Sequence, residues 1–235
     1  MKIKREILEA FLTKASLNKR IKTINLDFTE EGVKSAVMDT SQIAVTFTSL
    51  SKEAFEEYKA FGEIYIKNSE QLLNYVKSFG DIIAIERIGD YKLKLSGNGR
   101  EVFLMLGAKI VCDNKYEKPE PKLDWKTTLA IDKQVLYRPI QDMRVLETNW
   151  INITVKDKEL ILQVGDIDEA DYTKQTTEAP EGEGQIKLGE LIVDFYNSVE
   201  DKFTMSIGNN IPVLLKESTE FIDFTCVIAP IVSVE

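Results

Sequence analysis

The chain has 235 residues, 43% hydrophobic and 29% charged, with 30 Lys and Arg against 39 Asp and Glu and a formal charge of −9. This is ordinary globular composition at a length that suits two small domains, and no apolar run approaches the roughly 18 residues of a membrane span. The absence of histidine removes the commonest general base, the histidine-activated Ser and Cys nucleophiles and most zinc sites.

Residues 5–17, REILEAFLTKASL, set Ile7, Leu8, Phe11, Leu12 and Ala15 on one helical face, with Arg5, Glu6, Glu9, Thr13 and Lys14 on the other. A basic turn of Lys19, Arg20 and Lys22 follows. Ile24, Leu26 and Phe28 then alternate as a strand, Thr29 to Gly32 is a hairpin signal, and 33–38 is the return strand. Asp39, Thr40 and Ser41 lead into a strand at 43–50, and 51–60 reads as a polar loop or short helical turn. A strand at 64–66 feeds a second helix, N-capped by Asn68 or Ser69. Strands are expected at 82–87, 91–95 and 101–106.

The texture changes at 113–126, where Pro119 and Pro121 sit among charges with no apolar period. Alternate prolines favour an extended, exposed connector. The expected division is therefore a first domain at 1–112, a connector at 113–126 and a second domain at 127–235. In the second, 127–131 is a strand and Asp132 caps a helix, KQVLYRPIQDMR, in which Pro139 predicts a kink or an early break. Ile151, Ile153 and Val155 alternate and 160–164 returns. Residues 174–185, KQTTEAPEGEGQ, read as a flexible acidic loop. A last helix and strands at 204–207, 213–216 and 224–228 complete the chain.

The two halves repeat one another. Sliding 66–95 by 120 positions puts Ile66 on Ile186, Leu72 on Ile192, Leu73 on Val193, Phe79 on Val199, Asp81 on Asp201 and Ile83 on Phe203. A shift of 127 puts Leu26 on Ile153, Phe28 on Val155 and Asp39 on Asp166. Each half reads helix, hairpin, strands, helix, strands: a duplicated α+β domain whose helices cover one face of antiparallel sheets.

Charge is segregated along the chain. Residues 2–22 hold seven basic and two acidic side chains, whereas 157–201 hold thirteen acidic and three basic. Basic residues recur on the helices and the turn of both halves: Arg5, Lys14, Lys19, Arg20, Lys77, Lys133, Arg138 and Arg144, with Lys187 assigned to the fourth helix. A basic surface of that kind suits phosphate backbones without base reading. An enzyme is the rival reading, but Asp166, Asp168, Glu169 and Asp171 lack a glycine-spaced ligand loop, and Gly97, Asn98 and Gly99 form a hairpin turn with no Lys-Ser pair after it. Cys112 and Cys226, both in apolar stretches, read as free thiols of a reducing compartment, and MKIKREILEAF lacks the apolar block of a signal peptide. An intracellular protein is expected.

The segment VMDTSQIAVTFTSL (37–50), after LDFTEEGVKS, resembles the MDSSHVxLV segment of the proliferating cell nuclear antigen family, the ring-shaped DNA sliding clamps. Residues 201–235 are similar to the closing strands of that family, which end in Leu-Ala-Pro-Lys/Arg-Ile and an acidic tail, and PEPKLDW resembles the connector of archaeal members. The resemblance spans nearly the whole chain. It implies a non-catalytic polymerase processivity factor without cofactor or metal: two-domain subunits in a homo- or heterotrimeric ring, helices lining the lumen and sheets outside. Such a ring encircles duplex DNA without sequence preference. It is opened by an ATP-driven loader and tethers DNA polymerase, ligase and flap nuclease through short glutamine and aromatic motifs.

Carried over, the motif pocket would comprise Met38, Gln42, Ile43 and Val45 with Leu123, closed by Pro212, Val227, Ala229, Pro230 and Ile231. The basic helix residues would face the lumen. Gln42 stands where the family usually has histidine and Val227 where an aromatic often lies, which predicts a shallower pocket. A checkpoint-type or phage-type clamp shares the fold with different partners. The resemblance implies no membrane. It places the chain in the cytoplasm or nucleoid of an archaeal or viral system, or in a eukaryotic nucleus.

Overall fold

Alternating apolar residues in short runs punctuated by glycine and polar turns dictate antiparallel strands, and these dominate the structure. The computed structural model describes residues 1–166, 168 and 171–232. Its elements fall into two units, residues 1–119 with 218–224, and 120–217 with 225–235.

In the first unit, β1 (Lys2–Lys4) leads directly into α1 (Arg5–Ala15). Next come β2 (Ile24–Thr29), β3 (Gly32–Met38), β4 (Ala44–Ser51), a two-residue β5 (Phe55–Glu56), β6 (Gly62–Ile66) and α2 (Ser69–Lys77). A meander of β7 (Ile82–Ile88), β8 (Lys92–Gly97) and β9 (Arg100–Met105) ends it. Strands β4-β3-β2-β6 lie side by side, and a second sheet runs β5-β1-β7-β8-β9. Leu8, Phe11 and Leu12 of α1 and Leu72, Leu73 and Val76 of α2 are buried. α1 packs on α2 and β4. Asn68 caps α2 by accepting the Gln71 N–H at 2.9 Å.

The second unit repeats this plan. β10 (Thr127–Asp132) leads into α3 (Gln134–Val145), then β11 (Trp150–Lys156), β12 (Glu159–Val164), β13 (Thr173–Glu178), β14 (Gly184–Gly189) and α4 (Leu191–Ser198). β15 (Lys202–Ile207), β16 (Val213–Ser218) and β17 (Ile222–Ile228) follow. The orders are β13-β12-β11-β14 and β10-β15-β16-β17. The same backbone bond starts the first helix of each unit: Arg5 N–H donates to Asp81 O at 2.7 Å, and Lys133 N–H to Asp201 O at 2.6 Å.

Register corrects the duplication as read from the sequence. Ile83 and Phe203 do occupy equivalent places, opposite Ile3 and Ile131. In the preceding strands, however, Leu26 is opposite Ile64 and Ile153 opposite Ile186, so Ile64 rather than Ile66 is the counterpart of Ile186. In the helices the buried pair is Leu72 and Leu73 in α2 and Leu191 and Ile192 in α4, so Leu73, not Leu72, matches Ile192. A period-2 and a period-3.6 segment with slightly different junctions cannot share one shift.

Two further expectations are corrected. The expected acidic loop shrinks to 179–183, because residues 173–178 and 184–189 are strands; β13 is made of Thr, Gln, Lys and Glu, and its strand character comes from pairing with β12, not from apolar alternation. The early break allowed for at Pro139 does not occur, since α3 runs from Gln134 to Val145 through it. The carbonyl of Val135, which loses its donor to the proline, accepts instead from Gln175 Nε2 at 3.1 Å.

Candidate nucleic-acid interface and partner-docking surface

Of the basic side chains on helices and turns, Arg138 and Arg144 on α3 and Arg20 after α1 are exposed. Arg5 opens α1 and Lys77 closes α2; both reach Glu9, at 3.1 and 3.4 Å, which ties the two helices together. Lys19 pairs with Glu70 at 3.4 Å. These pairs, with side chains 27–52% exposed, are partly screened and worth roughly 1 kcal/mol or less, so the cations can exchange a carboxylate for a phosphate at modest cost. The turn bearing them is held firmly. Leu17, Asn18 and Lys19 all have positive φ, Ser16 Oγ accepts the Lys19 N–H at 3.2 Å, and Ser69 Oγ donates to Ile21 O at 2.7 Å.

Three predicted placements are corrected. Lys14 is only 1% exposed and belongs to the buried side of α1, where the adjacent Ala15 O accepts from Thr46 Oγ1 of β4 at 3.1 Å. Lys187 lies on β14, not on a helix, with its ammonium 3.7 Å from the Trp150 ring centre. Lys133 precedes α3, and its Nζ donates to Val199 O at 2.6 Å just beyond α4 and lies 4.7 Å from the Tyr196 ring. A cation at a helix C-terminus is favourable, so its first role is to join α3 to α4.

In the first unit, the proposed docking residues are organised by Asp39. Its buried carboxylate accepts from the N–H groups of Ser41 at 3.1 Å, Ile43 at 2.7 Å and Ala44 at 2.6 Å. This turn places Gln42 in a left-handed conformation (φ 58°) and leaves Gln42 and Ile43 exposed between Met38 on β3 and Val45 on β4, both half-buried. The Asp-Thr-Ser triplet carries the turn signal; its role as a backbone clamp is what the sequence reading missed. In the second unit, Trp125 Nε1 donates to Pro212 O at 2.8 Å and its N–H to Leu123 O at 3.0 Å, which joins the connector residue to the loop before β16. Ile231 N–H donates to Lys187 O at 2.8 Å. Leu123 and Ile231 are exposed, Pro212, Ala229 and Pro230 half-buried, and Val227 buried.

The start of the connector, also expected to be exposed, is instead laid on β3. Met38 N–H donates to Asn114 O at 2.8 Å, Tyr116 N–H to Ala36 O at 2.9 Å, and Val37 bridges Lys115 antiparallel. Beside it, Lys115 Nζ meets Glu63 Oε1 at 2.8 Å. Burial raises the Glu63 carboxyl, but hydrogen bonds from Lys115, Tyr65 and Asn25 outweigh it and hold the group below its ordinary value. Lys115 is raised by the same hydrogen bond. Burial pushes the nearby Cys112 thiol up to about 12, so it stays protonated and unreactive at neutral pH.

Among the described residues no cluster of three or more Cys, Asp or Glu side chains is placed to hold a metal ion, and no helix is long and apolar enough to cross a membrane. Glu169 lies outside the described residues.

No family model and no curated protein matches the chain. Solved structures do. The A. fulgidus PCNA bound to the C-terminal region of FEN-1 is 14% identical, covering 100% of this chain and 98% of that one with a TM-score of 0.83. PCNA from Thermococcus kodakaraensis is 18% identical over 98% and 99%, at 0.82. The PCNA2-PCNA3 complex from Sulfolobus tokodaii is 17% identical over 97% and 98%, at 0.78. At these identities it is architecture that is shared, and over its whole length this chain has the two-domain α+β fold of the PCNA sliding clamps.

Proposed function

We propose that this chain is a subunit of a ring-shaped DNA sliding clamp, a non-catalytic processivity factor of the proliferating cell nuclear antigen family. The observation that carries the reading is the end-to-end match to clamp structures, with both domains in place, at coverages of 97% or more on either chain. The chemistry agrees. Exposed Arg20, Arg138 and Arg144, with Arg5, Lys19 and Lys77 in weak surface pairs, offer charge to phosphates without any base-reading geometry. Their position on or beside helices supports placing helices at the lumen and sheets outside.

Assembly is supported by two open sheet edges. β9 ends one sheet of the first unit and presents Phe103 and Met105 at 53% and 61% exposure, and β13 ends a sheet of the second unit. An exposed apolar edge strand is a template for another chain. Pairing β9 of one subunit with β13 of the next is a head-to-tail contact that yields a ring when its rotation closes. The neighbouring subunit is a second copy or a paralogue, as the S. tokodaii complex illustrates. By analogy with the A. fulgidus structure a flap nuclease is one client, with polymerase, ligase and clamp loader expected to use the same docking residues: Met38, Gln42, Ile43 and Val45 on one unit, Leu123, Pro212, Ala229, Pro230 and Ile231 on the other. The test is polymerase processivity on primed circular DNA with and without the chain and its loader. Longer products support the clamp; unchanged product length at all chain concentrations opposes it.

A further inference from the structure

The Glu63 carboxylate gathers groups from three parts of the first unit. It meets Lys115 of the connector at 2.8 Å, accepts from Asn25 Nδ2 of β2 at 2.9 Å, and accepts from the Tyr65 hydroxyl on its own strand. Glu63 and Lys115 are each about a quarter exposed, at 24% and 26%, so their attraction is screened less than that of an open surface pair.

What the pair holds matters for docking. Lys115 sits between Asn114 and Tyr116. Asn114 is bonded to both main-chain groups of Met38: its carbonyl accepts the Met38 N–H at 2.8 Å, and its Nδ2 donates to Met38 O at 3.2 Å and to Thr23 O at 2.9 Å. Tyr116 packs edge-on against Phe47 of β4 at 5.5 Å. The connector thus continues the sheet along the last residues of β3, at the place where the Asp39 turn begins.

We propose that Glu63 is a positioning residue of the partner-docking surface: through Lys115 it seats residues 114–116 on the end of β3 and so fixes both the path of the connector and the backbone of Met38. Glu63 acts through the connector. A client that inserts a glutamine and aromatic motif beside Met38 then meets a preformed wall rather than a mobile strand, and avoids the ordering cost that weakens binding to loose segments. The inference rests on the docking reading above for its consequence, but not for the seat itself.

The experiment follows Met38 and Tyr116 amide exchange in the free chain, together with binding of a synthetic peptide carrying one glutamine and two aromatic residues. The variants are Glu63→Gln, Lys115→Met and the conservative Glu63→Asp, which keeps a carboxylate for its donors. Exchange at those two amides is expected to rise at least tenfold in Glu63→Gln and Lys115→Met, with amides of β7 and β8 unchanged and peptide affinity several-fold weaker. Glu63→Asp lies closer to the unaltered chain in both. Unaltered exchange at Met38 and Tyr116 overturns the seat. Faster exchange with undiminished peptide affinity overturns the positioning role. A wild-type chain that binds no peptide overturns the docking reading, and the exchange data still decide the seat.

Discussion

Gln175 on β13 donates its side-chain amide to the carbonyl of Val135 on α3 at 3.1 Å, the carbonyl that Pro139 leaves without its helical donor. An interior proline removes one backbone bond and strains the turn before it. A glutamine on the neighbouring strand supplies the bond that the helix loses there.

Gln175→Ala should therefore destabilise the protein by about 1 kcal/mol, the usual cost of an orphaned, partly buried acceptor, or a drop of about 2–4 °C in Tm. In a Pro139→Ala background the helix regains its own donor, and the same substitution should cost only a few tenths as much. Thermal melts of the four variants in a double-mutant cycle measure the coupling. Additive effects would mean that Gln175 does not replace the missing donor.

The Asp39 turn predicts a sharper loss. Asp39→Ala removes the acceptor for three backbone N–H groups at Ser41, Ile43 and Ala44 and should cost about 2–4 kcal/mol, since hydrogen bonds to a charged group contribute about 1.5–3 kcal/mol each and partly recover in water. Asp39→Asn keeps an acceptor and should lose less. Urea midpoints read the stability, and peptide binding should fall in Asp39→Ala even at temperatures where the chain remains folded.

Acid should loosen the connector on β3. The Glu63 carboxyl is held below its ordinary value of 4.5 in the folded chain. Its contribution is therefore complete above about pH 4.5 and is lost as pH falls through the depressed folded value. Lys115, Tyr65 and Asn25 face the carboxylate directly, and Asp27, Glu117 and Cys112 lie in the surrounding field. Amide exchange at Met38 and Tyr116, corrected for intrinsic rates, should accelerate on that acid limb. In Glu63→Gln it should already be fast and independent of pH.

The electrostatic reading separates the cations. Arg138→Glu with Arg144→Glu reverses two exposed charges and should reduce processive synthesis several-fold at moderate salt with little change in Tm. Lys14→Glu should behave differently, lowering stability by several kcal/mol because the side chain is buried. Melts and primer-extension lengths distinguish the two. Unchanged products from the arginine pair would place those residues away from DNA.

Much of this was legible in the residues. Alternation gave most strands because each sheet has a buried face, and the shared placement of Ile83 and Phe203 shows that the duplication was sound in the strands that follow α2 and α4. What escaped was set by tertiary context. β13 has no apolar face, so only its pairing with β12 makes it a strand. Lys14 lies one helical step from the exposed side, and a charge at that spacing reads as solvated. Lys187 precedes α4 in a stretch whose strand and helix patterns merge. In the docking surface, Met38, Ile43 and Val45 were marked, but Asp39, Glu63 and Lys115 were not, because a residue that organises backbone through hydrogen bonds leaves no periodic trace.

The central claim is encirclement, and it is tested most directly by loading the chain, with its partner subunits and loader, onto closed circular duplex DNA and then cutting the circle once. The account predicts that the chain survives a high-salt wash on the intact circle and is released by the cut. Retention on the linear product, or loss from the circle in salt with no effect of cutting, would mean that the chain holds DNA by surface charge and not by topology.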